Sequence, residues 1–318
     1  MQLNTPRWFV CGNCGGAFQD FGYHIEDYFT GKLTPCPQCG VSLDWWRTVV
    51  ATLRKGFEEI YPLLALAGAE TTGVYVRFVA GAPLTITLQD FGVPSDAEVL
   101  YVSYHHRGGE LVPIEIHGSD PQVRRDRKTL RLWPIPLNPE QNPIGDQPKW
   151  DECAIAITWH RPTPGREDWH NLVQAFAAFV SGNYPALVIP ANVAVESRLS
   201  RLLSSTLTLR DIPSYRVEDF LTSAATYSYQ LNVVLPLILN LLGVPQLAPP
   251  VRGALNRLRS LRNSLAHLGQ LKAEISSAEA AELVAGALFG FRFLEVVEPA
   301  LIGDQISTTD RSSDASSG

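Results

Sequence analysis

No apolar run in this 318-residue chain approaches the ~20 residues that cross a bilayer. The longest, Leu231 to Leu242, is interrupted by Asn232, Pro236 and Asn240 and reads as a buried helix. Met1 to Trp8 lacks a basic segment followed by an apolar core, so no secretory signal is expected. An excess of positive charge is missing as well. With 26 Lys and Arg against 32 Asp and Glu, the net charge is -6, so any contact with phosphates has to come from a local basic patch. A Gly-rich phosphate loop, a Ser nucleophile elbow and a His-Glu-x-x-His sequence are each absent, which leaves NTP hydrolysis, esterase and zinc-protease chemistry without residues. Cysteine is scarce, and four of the five stand in two Cys-x-x-Cys pairs, a usage that fits a reducing, cytoplasmic compartment. The fifth, Cys153, lies in an apolar strand pattern and is expected to be a buried, inert thiol.

The apolar fraction of 45% and charged fraction of 18% are those of a globular protein, and the length suits two or three domains. The patterning predicts a multidomain α+β chain. Residues 1–42 hold the cysteine pairs and read as a zinc ribbon, and 43–69 read as a connecting helix that Ser42 or Asp44 can cap. Residues 70–165 carry six strand-like runs without intervening helices, which predicts an antiparallel, sandwich-like β-rich domain. Within it, the proline-rich stretch 134–148 reads as an irregular loop. Residues 166–303 read as helices throughout: 167–180, 191–207, 217–242, 250–268 and 278–301. Gly243 ends one of them, Pro249 and Pro250 open the next, and Ser276 with Glu279 form a capping box. Residues 304–318, rich in Ser, Thr and Asp, read as a disordered tail.

Cys11-Gly-Asn-Cys14-Gly and Cys36-Pro-Gln-Cys39-Gly each place two thiolates on a tight turn. Two such turns facing each other make a tetrahedral sulfur cage for zinc, and four sulfur ligands leave no open position for water, so the metal is expected to be structural. Two disulfides, or a redox Cys-x-x-Cys, are the competing readings, and neither accounts for the doubling of the motif. Trp8, Phe9, Phe18, Tyr23 and His24 then form either a small core or a binding surface.

The segment 250–268 combines an apolar stripe (Leu255, Leu258, Leu261, Leu265) with Arg252, Arg257, Arg259 and Arg262, and no acidic residue occurs from Val251 to Ala273. This is the densest basic patch of an acidic chain, and a phosphate-bearing ligand fits it. Metal-free RNA cleavage needs a proton taken from the 2'-hydroxyl, stabilisation of the phosphorane and a proton given to the leaving 5'-oxygen. His267 suits the proton transfers, Arg262 the non-bridging oxygens, and Asn263 the orientation of either. Arg259 and Arg257 extend the cationic track as substrate-binding residues. Arg262 and His267, five residues apart, lie about 140° apart around a regular helix, so one helix cannot aim both at one point and two helices across a dyad can.

Arg262-Asn263-Ser264-Leu265-Ala266-His267 resembles the Arg, polar residue, spacer and His signature of the HEPN superfamily of helical nucleases. The resemblance covers about 167–303, and its specific part is this short motif. It implies a metal-independent RNA endonuclease whose cleft is built from two copies of the motif in a homodimer. It also implies a toxin or antiviral-defence setting, with an antitoxin, trigger or defence-system partner and no membrane. Arg262, Asn263 and His267 would then be catalytic. The alternative is a non-enzymatic adaptor, in which the ribbon binds nucleic acid or protein and the helices serve for dimerisation. Among the remaining features, His105, His106 and His117 lack an identifiable metal-ligand spacing, and the basic run 124–128 and the pair Glu196 and Arg198 read first as solvated surface.

Overall fold

The computed structural model describes residues 7–20, 24–56, 61–79, 84–106, 114–116, 122–123, 129–132, 134–136, 150–161, 167–271 and 273–303. The chain is mostly helical with small antiparallel sheets, and it divides into two compact units. One is built within residues 57–166. The other joins residues 7–56 to the helices that follow 166, so the cysteine region and the helical region share one unit.

In that second unit, β1 (Arg7–Val10) and β2 (Ala17–Asp20) form an antiparallel hairpin with Val10 opposite Ala17. A short helix α1 (Asp27–Thr30) follows, then α2 (Trp45–Lys55). Of the two candidate caps, Asp44 is the one used, its carboxylate accepting from the Arg47 N–H at 3.2 Å. Phe9, Phe18 and Trp45 pack ring against ring as the core beneath the hairpin. The buried Thr52 hydroxyl ties α2 to β1, accepting from the Val10 N–H at 2.8 Å and donating to the Thr48 carbonyl. Phe9 and Phe18 are therefore core, Trp8 is half-buried, and the side chains of Tyr23 and His24 lie outside the described residues.

The apolar pattern over 43–69 predicts one connecting helix, and the chain forms two. Gly56 ends α2 at φ 63°, a conformation only glycine adopts cheaply. The next helix, α3 (Tyr61–Leu66), belongs to the other unit. That unit continues with β3 (Glu70–Val79), β4 (Leu84–Thr87), β5 (Glu98–His106), β6 (Ile114–Ile116), β7 (Gln122–Val123), β8 (Thr129–Leu132), β9 (Pro134–Pro136) and β10 (Trp150–His160). All described pairings are antiparallel, in the orders β3-β10-β5, β4-β8-β7 and β6-β9. Ile155, Ile157 and Trp159 alternate on one face of β10 and pack with Ile86, Leu88, Val93 and Val102. The Trp159 indole N–H donates to the Thr72 hydroxyl at 3.0 Å. The proline-rich stretch expected as loop begins as β9, which among the described residues pairs with β6 along one edge, a position proline tolerates. Residues 137–149, the run 124–128, His117, and the side chains of His105, His106 and Cys153 lie outside the described residues, as does the expected disordered tail 304–318.

The helical part starts with α4 (Glu167–Val180) and α5 (Tyr184–Thr208), turned back on each other at Gly182, whose φ of 73° closes a turn with the Asn183 N–H on the Ala178 carbonyl. Helix α5 begins seven residues before the expected Ala191, with Pro185 in its first turn and Pro190 inside it. The expected single helix over 217–242 is broken into pieces: α6 (Ser214–Asp219), a π-turn at Phe220–Ala224, α7 (Tyr227–Tyr229), a π-turn at Gln230–Val234, and α8 (Leu235–Leu241). Pro236 accounts for the second π-turn, since its ring has no N–H to give the Asn232 carbonyl and crowds it. Then come α9 (Pro249–Leu268), closed by Gly269 at φ 67°, and α10 (Ser277–Gly303). Only half of the expected capping box forms: Ser276 accepts from the Glu279 N–H, while the Glu279 carboxylate turns to Arg257.

Helix α10 is apolar all round and sits at the centre, against α2, α4, α5 and α9. It admits α9 closely through two glycines. A Cβ on Gly286 would lie 2.4 Å from the Ala254 Cβ, and one on Gly290 would lie 2.9 Å from Leu255 Cδ1. Phe289 and Phe293 of α10 receive Tyr28, Phe29 and Trp46 from the cysteine region at centroid distances of 5.0 to 5.9 Å. Among the described residues no helix is long and apolar enough to cross a membrane.

Candidate metal centre and basic helix

The two cysteine turns are built alike. In the first, the Gly15 N–H donates to the Cys11 carbonyl and the Cys11 N–H to the Gly16 carbonyl. In the second, Gly40 and Val41 take the same places around Cys36. Gly15 and Gly40 have φ of 71° and 72°, which explains the glycine after the second cysteine of each pair. Backbone N–H groups of Asn13 and Gln38 point at the sulfurs of Cys11 and Cys36, each at 3.4 Å, and the Asn13 amide reaches Cys39 at 3.8 Å. Such donors favour thiolates. At Cys39 the Val41 N–H, with help from Cys14 and Cys36, holds the thiol down at about 7.

The structure brings together all four predicted ligands. The sulfurs of Cys11, Cys14, Cys36 and Cys39 lie within 4.8 Å of one another, compatible with the ~3.8 Å edge of a tetrahedron with ~2.3 Å metal–sulfur bonds. They can hold a metal ion. Cys11 and Cys36 are buried, while Cys14 and Cys39 face solvent.

The second candidate site lies on α9. Its apolar arc, Val251, Leu255, Leu258 and Leu261, is buried. Arg262 is half-buried near the edge of this arc, and its guanidinium turns toward Asn263, with Nη1 3.4 Å from Oδ1. His267 is exposed in the last turn, where the helix dipole favours a cation. Arg257 is tied to Glu279 at 2.8 Å, so it is less free to meet a substrate than its place in the motif helix suggests. Arg259 makes no hydrogen bond or ion pair among the described residues, and its Nε is buried.

Arg47, Arg54, Arg198, Arg201, Arg257 and Arg292 each lie against a carboxylate; among the described residues Arg252, Arg259 and Arg262 of α9 have no carboxylate partner, and neither have Arg210 and Arg216 elsewhere in the unit. Among the described residues Arg262 has no acidic partner. Glu196 and Arg198, expected as surface, are separated in role. Arg198 joins Asp168 and Glu298 in a buried network, whereas the Glu196 carboxylate accepts from Asn192 at 2.8 Å.

Tyr227 escaped the sequence reading. It is a buried phenol on α7 whose hydroxyl has no hydrogen-bond partner among the described residues. Burial pushes it well above the usual tyrosine range, the charge of Glu196 adds to this, and the charge of Arg259 opposes it. Glu196 and Arg259, on two other helices, are thus the charges that act on Tyr227. Comparisons of the chain with protein-family models, with curated proteins and with solved structures return no match.

Proposed function

We propose that the chain is a metal-independent RNA endonuclease of HEPN type, acting as a homodimer, with a zinc ribbon as structural support and a HEPN-like helical bundle as the catalytic part. The observation that carries this reading is the pair of arginines on α9, Arg259 and Arg262, left without carboxylate partners in a chain of net charge -6. Uncompensated guanidinium groups beside a half-buried amide and an exposed imidazole suit phosphate oxygens. His267 removes the proton of the 2'-hydroxyl or supplies one to the leaving 5'-oxygen, Arg262 binds the non-bridging oxygens and Asn263 orients them. Because α9 is regular from Pro249 to Leu268, Arg262 and His267 leave it about 140° apart, which favours a cleft completed by a second copy. Four thiolates suit zinc, whose role is to hold the ribbon, and no step of cleavage runs through it. The β-rich, sandwich-like unit selects substrate or senses a trigger.

The test is incubation of the metal-loaded protein with tRNA, ribosomal and single-stranded RNA, without added magnesium or manganese. Cleavage leaving 2',3'-cyclic phosphate ends supports the reading. Intact RNA bound without cleavage, unaffected by Arg262→Ala and His267→Ala, would favour a non-enzymatic adaptor.

A further inference from the structure

Helices α7 and α8, with the π-turn between them, bury one side and bare the other. Leu231, Leu235 and Leu239 are 2, 1 and 0% exposed, whereas Tyr229, Val233, Leu237 and Leu241 are 47, 43, 57 and 76% exposed. The four bare side chains stand at four-residue steps, which in a regular α-helix drift by about 40° per step. The wider π-turn at Gln230–Val234 takes up part of that drift, so the four form one ridge. Charge is missing from it altogether. No Asp, Glu, Lys, Arg or His occurs from Phe220 to Val251. Singly exposed apolar side chains are ordinary on a folded protein, but four in a row on an uncharged face make a contact surface.

The ridge stands beside the candidate site. Asn232, from the same π-turn, exchanges two amide hydrogen bonds with Asn256 of α9, at 3.0 and 3.1 Å. Asn263 and His267 follow Asn256 by seven and eleven residues, which returns each to within about 20° of it around the helix axis. The segment that carries the ridge therefore borders the side of α9 that carries Asn263 and His267, with His267 about 16 Å farther along at ~1.5 Å per residue. Charge selects the occupant. Two copies of an acidic chain repel one another where charged surfaces meet, and a charged foreign partner gains no complementarity from an uncharged face. A two-fold contact through the ridge escapes that repulsion, because each copy offers the other the same neutral surface.

We propose that a second copy of this chain covers the ridge, with Tyr229, Val233, Leu237 and Leu241 of the two copies packed together across a two-fold axis. This rests on the reading of the chain as a homodimer with a composite site, and it names the face by which the copies meet. The ridge is about 18 Å long, and half-exposed side chains over that length cover less than the ~800 Å² per partner of a standard interface. The contact is of the small, weak class, so the dimer forms and dissociates with concentration.

The experiment is sedimentation velocity of the full-length, metal-loaded protein over a wide range of concentration, beside RNA cleavage at the same concentrations. The wild type is expected to pass from monomer to dimer as concentration rises. Leu237→Asp sets two carboxylates against apolar surface in each dimer and is expected to raise the dissociation constant about a hundredfold. The melting temperature in dilute solution should not change, since Leu237 is already exposed. Ile189→Asp, at a 53% exposed apolar residue of α5, is the control and should leave the dimer intact. Cleavage by Leu237→Asp should fall with its dimer and return as the protein is concentrated. A dimer that Leu237→Asp leaves intact, or that Ile189→Asp weakens equally, would overturn the ridge as the contact and leave the proposed function standing. Leu237-dependent binding of a monomeric wild type to neutral phospholipid vesicles would give the ridge to a membrane surface and overturn the second copy. A wild type that stays monomeric at every concentration would overturn the inference; RNA cleavage by that monomer would keep the nuclease, and its absence would overturn both readings.

Discussion

Replacing Cys11 and Cys36, the two buried ligands, by serine should unfold more than the turns that carry them. The metal fixes the turns, the turns hold the hairpin and α1, and Tyr28, Phe29 and Trp46 carry that order onto α10. Phe289 and Phe293 are 0% and 1% exposed. Uncovering them would cost about 3–6 kcal/mol between them, at ~1.5–3 kcal/mol for a fully buried phenylalanine. That is a large part of the ~5–15 kcal/mol holding a typical domain. In a unit of about 150–250 residues, ~2–4 °C accompanies each kcal/mol, so the helical unit should lose at least about 6 °C of melting temperature. Far-UV circular dichroism at a helix-sensitive wavelength follows this directly, for the double variant and for chelated wild-type protein. An unchanged helical transition, with only a small early loss of signal, would refute the claim that the metal centre and the bundle form one cooperative unit.

The remaining predictions concern the bundle and its site. Gly286→Ala should destabilise by about 1–3 kcal/mol, because its Cβ would meet that of Ala254 at 2.4 Å. Gly253→Ala, on α9 with open space around it, should stabilise by about 0.5–1 kcal/mol, and denaturant titration of the two gives opposite signs. Asp168→Ala, which removes a fully buried carboxylate from Arg201 at 2.6 Å and from Arg198, should cost about 3–5 kcal/mol in the same titration. Tyr227 has a raised folded-state pKa, so its contribution is complete below the ordinary tyrosine value of about 10 and is lost as pH rises past it. The wild-type stability should therefore fall above pH ~10 more steeply than that of Tyr227→Phe, by up to about 1.4 kcal/mol per pH unit. Mixing inactive Arg262→Ala and His267→Ala proteins should restore cleavage, since a heterodimer rebuilds one composite site, and no recovery would place both residues of a site in one copy.

The parts of this molecule that could be read from the sequence are those fixed by local chemistry. Two Cys-x-x-Cys-Gly runs specify their own turns, because the glycine must take positive φ, and Leu255, Leu258 and Leu261 of the leucine stripe form the buried arc of α9, with Leu265 only half-buried. The halves of the broken helix over 217–242 were not legible. Its apolar period continues through Pro236, and only packing decides that the proline is absorbed in a π-turn. The cap at Asp44 was visible, but the end at Gly56 hid inside an apolar pattern that resumes after it. On α9 the basic residues were readable as a group. Which of them are free depended on Glu279, on α10, which local spacing gives no reason to bring near Arg257.

The most direct test of the account measures His267→Ala twice, once for cleavage of RNA and once for binding of an oligomer that cannot be cleaved. The account predicts a fall in cleavage of about 10²–10⁴-fold, the size of a lost proton-transfer group, with affinity changed by less than about threefold. Cleavage by His267→Ala at the wild-type rate would contradict it.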